Sequence, residues 1–92
     1  MPDNAYRLAR RRIDNAARRN QTSLDLHGKN LTELPPAIGQ LTALKTLDLS
    51  GNKLAVLPPE IGQLSSLTEI DLSDNFITSL PLEFWQLTHY AS

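Results

Sequence analysis

The chain superimposes on itself when slid by 23 residues, and that period limits the possible folds more than any other feature. Lys45–Leu67 reads KTLDLSGNKLAVLPPEIGQLSSL. It falls on Thr22–Leu44 behind it and on Thr68–Tyr90 ahead of it. Leu24/Leu47/Ile70, Leu26/Leu49/Leu72, Leu31/Leu54/Ile77, Leu34/Leu57/Leu80, Pro35/Pro58/Pro81, Ile38/Ile61/Phe84 and Leu41/Leu64/Leu87 all match. A unit this short cannot enclose its own apolar face, so it must stack on its neighbours. The expected domain spans 22–92, with units 22–44, 45–67 and 68–90.

Each unit divides in three. Leu47-Asp48-Leu49 alternates apolar and polar, the period of a half-buried strand. Ser50-Gly51-Asn52-Lys53 is turn chemistry. Leu57-Pro58-Pro59-Glu60-Ile61-Gly62-Gln63-Leu64 predicts a convex, partly 3₁₀ segment. Pro58 keeps Leu57 extended and Pro59 fits the first helical turn. Ile61 and Leu64 are expected to point inward, with Gly62 and Gln63 in solvent.

Ahead of the units, residues 3–20 read as a helix that Asp3 or Asn4 can cap. Ala5, Leu8, Ala9, Ile13, Ala16 and Ala17 form a weak apolar stripe at spacings of three and four. Residues 1–21 carry six Arg against two Asp, a net of +4, while residues 22–92 carry three Lys against eight acids, a net of −5. The overall charge of −1 therefore hides a basic head on an acidic body. We expect a capping helix over 1–21 whose stripe covers the open end of the first unit. Arg7, Arg11 and Arg18 are then candidates for docking a protein partner. Binding of nucleic acid or an anionic surface is the alternative use of those arginines, although Tyr6 is the helix's one aromatic residue.

The spacing Leu44-x-x-Leu47-x-Leu49-x-x-Asn52-x-Leu54, followed by Leu-Pro-x-x-Ile-x-x-Leu, resembles the leucine-rich repeat. Its subclass looks like that of Ras-binding scaffolds, plant intracellular proteins and bacterial proteins, including the repeat arms of Roco-type GTPases. The resemblance implies an α/β solenoid with short parallel strands on the concave side and a helical N-terminal cap. It also implies a ladder of buried Asn side chains, which Asn52 and Asn75 fit. In the first unit Lys29 stands at the ladder position and Asn30 is one place late. An unpaired buried ammonium is costly, so Lys29 is expected to reach solvent and the first turn to be irregular.

Nothing in the pattern points to catalysis or a cofactor. There is no G-x-x-x-x-G-K-S/T, G-x-G-x-x-G or H-E-x-x-H. The absence of Cys removes thiolate chemistry and Cys-ligated metal. His27 and His89 fall at opposite ends of the stack, and neither is expected to meet Ser and Asp in a catalytic arrangement. No metal, cofactor or small-molecule substrate is expected. No apolar run reaches the ~18 residues of a membrane span and no apolar segment follows the N-terminal Arg residues, so a cytoplasmic protein is expected.

The candidate partner-binding residues lie in columns. Asp25, Asp48 and Asp71 form one column on the outward side of the concave strands. Ser23, Thr46 and Glu69 run on one side of it, and His27, Ser50 and Ser73 on the other. An acidic column can be a solubilising face or can receive a basic segment. At the far end Trp85 replaces Gly39 and Gly62, and Tyr90 replaces Leu44 and Leu67. Trp85 is read either as an outward anchor or as a lid, and Trp85, His89 and Tyr90 are candidates for docking a partner or a second copy. Parts of Leu72, Ile77, Leu80 and Leu87 are expected to lie open there. The function expected is a non-catalytic protein-interaction module, a small adaptor or an accessory subunit. A regulatory arm related to Roco-type GTPases is a second reading.

Overall fold

The structure, a computed structural model, describes residues 4–87. It opens with helix α1 (Asn4–Arg18) and continues into three strands, β1 (Ser23–Asp25), β2 (Thr46–Asp48) and β3 (Glu69–Asp71). Each strand leads to a 3₁₀ segment, at Pro36–Gln40, Pro59–Gln63 and Leu82–Gln86.

Helix α1 ends at Arg18, two residues earlier than the sequence suggests. Asp3 lies outside the described residues and Asn4 is the first helical residue. The helix stops because Asn20 adopts φ 50°. The Asn20 N–H then donates to Ala17 O at 3.3 Å and the Gln21 N–H to Ala16 O at 3.0 Å, the paired bonds of a Schellman end. Ala9, Ile13 and Ala16 are buried against the first unit. The helix touches the Pro36–Gln40 segment, on the convex side, and Gln40 Nε2 reaches Asp14 Oδ1 at 3.4 Å.

The strands pair in parallel in the order β1-β2-β3. Ser23, Thr46 and Glu69 share one register, Leu24, Leu47 and Ile70 the next, and Asp25, Asp48 and Asp71 the third. They begin one residue earlier than Leu47–Leu49 predicts. The ladder starts where Lys45 and Thr46 N–H both donate to Thr22 O, and past Asp48 the Leu49 N–H still donates to Asp71 O at 2.9 Å. Between the sheet and the 3₁₀ row lies a single core of stacked leucines, with Leu26, Leu31, Leu44, Leu49, Leu54 and Leu67 fully enclosed. Burying one such side chain stabilises the fold by about 1.5–3 kcal/mol.

Two glycines correct the expectation of a solvated convex face. Gly39 is buried and Gly62 half-buried, because each packs against the next unit's 3₁₀ segment. A Cβ at Gly39 would collide with the Gln63 side chain, and one at Gly62 would lie 2.5 Å from Glu83 O. The close stacking of units therefore needs glycine here for space, while Gln63 does face solvent.

Asn52 ties the first two units together. It is 4% exposed. Its Oδ1 accepts from Lys29 N–H at 2.9 Å and Leu31 N–H at 3.0 Å, and its Nδ2 donates to Leu26, Leu49 and Ser50 carbonyls. Asn75 accepts from Leu54 N–H at 3.0 Å and donates to Leu49, Leu72 and Ser73 carbonyls, but it is only half-buried. The first turn needs nothing from the Lys29 side chain, because Asn52 of the second unit already satisfies its backbone. Lys29 sits half-buried and Asn30 takes φ 58°.

Candidate functional site

The pairing register places Asp25, Asp48 and Asp71 side by side across the concave sheet. Adjacent strands lie about 4.8 Å apart, so the row is about 10 Å long. Each carboxylate is held by its own chain two residues on. Asp25 Oδ1 accepts from His27 N–H at 2.9 Å. Asp48 Oδ1 accepts from Ser50 N–H at 2.9 Å and from Ser50 Oγ at 2.6 Å. Asp71 Oδ1 accepts from Ser73 N–H at 3.0 Å and from Ser73 Oγ at 2.6 Å. The Asp71 carboxyl is held below its ordinary value of 3.8, first by the Ser73 hydroxyl and then by the Ser73 backbone N–H, with His27 adding a smaller effect.

These bonds give the Asp column a structural task, capping the strand-to-turn bend. They use Oδ1, and both Asp48 and Asp71 line the groove on the concave face. That groove, about 360 Å³, is lined by Ser23, Asp25, Thr46, Asp48, Glu69 and Asp71. The one ion pair among the described residues is Arg10–Asp14 on α1, at 3.3 Å, so none of the described cations pairs with the carboxylates of the concave face. Ser50 does not belong to the accessible surface, being 7% exposed.

The structure also gathers a His, a Ser and an Asp, which sequence reading did not foresee. His27 Nδ1 lies 2.8 Å from Ser50 Oγ and 3.1 Å from Ser50 O, and Ser50 Oγ donates to Asp48. The 23-residue offset between positions 27 and 50 was the available signal. Both Nδ1 partners are acceptors, so Nδ1 carries the proton. The serine proton points to a carboxylate and the imidazole donates to the serine. This is the reverse of an activated nucleophile, in which the imidazole accepts.

On α1, Arg7, Arg11 and Arg18 are all exposed, at spacings of four and seven. Helical geometry puts them on the face opposite Ala9, Ile13 and Ala16. Arg18 bonds Asn15, whereas Arg7 and Arg11 have no acidic partner among the described residues.

The third unit carries apolar side chains at outward positions. Trp85 is 65% exposed, with its ring edge-on to Phe84 at 5.7 Å between centroids. Leu82 is 83% exposed and Phe76 66%. Leu82 and Trp85 are three apart on a 3₁₀ segment and so share one side. Phe76 and Leu82 were missed, although the period places them opposite Lys53 and Pro59, which are exposed. Leu72, Ile77 and Leu80 are only half-buried. With Trp85 they line a depression of about 430 Å³ at the end of the stack, whereas Leu87, expected there, is buried. His89 and Tyr90 lie outside the described residues.

Trp85 stands where Gly39 and Gly62 stand in the earlier units. At those positions even a methyl would strike the following 3₁₀ segment. Trp85 therefore replaces, in the third unit, the glycine that lets the first two units pack closely on the segment that follows them.

The chain belongs to the leucine rich repeat family, whose model matches residues 19–75 and again 42–90. Among solved structures it is similar to a leucine-rich repeat protein of Leptospira interrogans, at 34% identity and a TM-score of 0.49. The alignment covers 83% of this chain and 26% of that one, so this chain spans about a quarter of its relative's length. No curated protein matches the chain significantly. Proteins of this family are typically non-catalytic, and their repeat domains generally mediate protein–protein interaction. Among the described residues no helix is long and apolar enough to cross a membrane.

Proposed function

We propose that the chain is a cytoplasmic protein-interaction module, working as a small adaptor or accessory subunit, that receives a cationic segment of a protein partner on its concave face. The observation that carries this reading is the row Asp25, Asp48 and Asp71. Its orientation is fixed by internal hydrogen bonds, and none of the described cations pairs with it. A rigid row of carboxylates on a sheet recognises Arg or Lys at strand spacing without rearranging, which lowers the entropic cost of binding. Thr46 and Glu69 border the row and extend it by one further acid.

Titration with an arginine-rich peptide tests the proposal. Glu69→Lys with Thr46→Lys places positive charge in the groove and leaves the Asp turns intact. It should weaken binding at least about tenfold, and added salt should weaken wild-type binding. Peptide binding that ignores both changes would remove the concave face from consideration.

A second contact surface is supported by Trp85, Leu82 and Phe76, which put large apolar side chains at exposed positions where the second unit has Gly62, Pro59 and Lys53. Trp is the residue type most enriched at the energetic centres of interfaces. This end docks an apolar surface, and His89 and Tyr90, which follow in the sequence, belong to the same proposal.

A further inference from the structure

The basic stripe and the acidic row fit each other, and both occur in every copy of the chain. Arg7 and Arg11 are about 6 Å apart along α1 at 1.5 Å per residue, and the carboxylates of the row stand about 4.8 Å apart. A helix laid across the three strands brings Arg7 and Arg11 over neighbouring aspartates, within the reach of flexible arginine side chains. Arg18 extends past the row toward its rim. The helical segment carries a net charge of +4 and the repeats −5.

The two surfaces cannot meet within one molecule. Helix α1 is packed on the convex 3₁₀ segment of the first unit by Ala9, Ile13 and Ala16, so its stripe faces away from the stack and the Asp row opens on the other side.

We propose that α1 of one copy docks across the concave face of a second copy, giving a head-to-tail contact in which every molecule offers one helix and one face. This rests on the reading of the concave face as a site for a cationic segment. Such a contact is heterologous, so it propagates into chains or closes into rings. It leaves the Trp85 end free for a different partner.

The test is sedimentation of the full chain, wild type and variants, at about 50 and about 500 mM salt. Wild type is expected to grow beyond a monomer with concentration at low salt and to dissociate at high salt. Arg7→Glu with Arg11→Glu removes the helix half, and Thr46→Lys with Glu69→Lys removes the face half. Each variant alone should stay monomeric, and circular dichroism shows whether each is folded. Mixed in equal amounts, they retain one live helix and one live face between them, so the mixture should form a dimer and stop there. A monomeric wild type at low salt, a mixture that stays monomeric, or growth unchanged in both variants would overturn the proposal.

A synthetic peptide of residues 4–18, titrated into the monomeric helix variant, separates this inference from the reading beneath it. If the peptide binds while the intact chain stays monomeric at low salt, the face is a cation site and self-docking is wrong. If neither binds, both ideas fall.

Discussion

Replacing Asn52 by Ala should be among the most damaging single changes in the chain, far beyond the same change at Asn75. At Asn52 the substitution orphans Leu31 N–H, which is buried, and the Leu26 carbonyl, with Lys29 N–H half-buried beside them. The Leu49 and Ser50 carbonyls keep other donors, in Asn75 Nδ2 and Gly28 N–H. Each buried group left without a partner costs about 1–3 kcal/mol, so the two together cost about 4 kcal/mol. A chain of this size is stable by only about 5–14 kcal/mol. At about 4–8 °C per kcal/mol, the melting temperature should fall by about 16–32 °C. Asn75 is half-buried, and water can replace its bonds to Leu54 and Leu72, so Asn75→Ala should cost about 1–2 kcal/mol. Thermal melts followed by far-ultraviolet circular dichroism make the comparison. The lone Trp is a poor reporter, because Trp85 is already exposed in the folded state. Equal losses at the two positions would refute the argument that burial sets the weight of each asparagine.

Gly62→Ala should destabilise by about 1–3 kcal/mol, because the new methyl meets a backbone carbonyl of the next unit, and the melting temperature reads this directly. Trp85→Ala should leave the melt nearly unchanged, because the side chain is exposed, yet weaken any association at that end by about 2 kcal/mol or more; a large loss of stability instead would show that the ring is part of the core. The Asp71 carboxyl has a folded value below 3.8, so its contribution to stability is fully present above that value and is lost as pH falls through the lower, folded one. Urea midpoints of Asp71→Asn should therefore depend less on pH below about 4 than those of wild type, and parallel curves would contradict the assignment.

The stack and its three layers were legible in the chain because a period of 23 residues repeats seven positions in register. Repetition converts weak local propensities into a strong one. What the repeat does at its joints was less legible. Gly39 and Gly62 read as solvated because their neighbours on the segment are polar, and the reason for glycine lies in the adjacent unit, which local pattern does not show. The Asp column was read as a surface feature, yet each carboxylate also fastens its own turn through Ser50, Ser73 or the His27 backbone. The His27–Ser50–Asp48 contact needs the stacking offset to be seen. Phe76 and Leu82 are apolar by type, and type alone points to the core. Their partners in the period, Lys53 and Pro59, mark those positions as outward.

The concave face as a receptor for a cationic protein segment is the central claim, and mapping backbone amide shifts by nuclear magnetic resonance during titration with an arginine-rich peptide tests it most directly. The account predicts shifts concentrated at Thr46, Asp48, Ser50, Glu69, Asp71 and Ser73, fading as salt is raised. Shifts confined to Pro59–Gln63 and Leu82–Gln86 on the convex side, or no shifts at low salt, would contradict it.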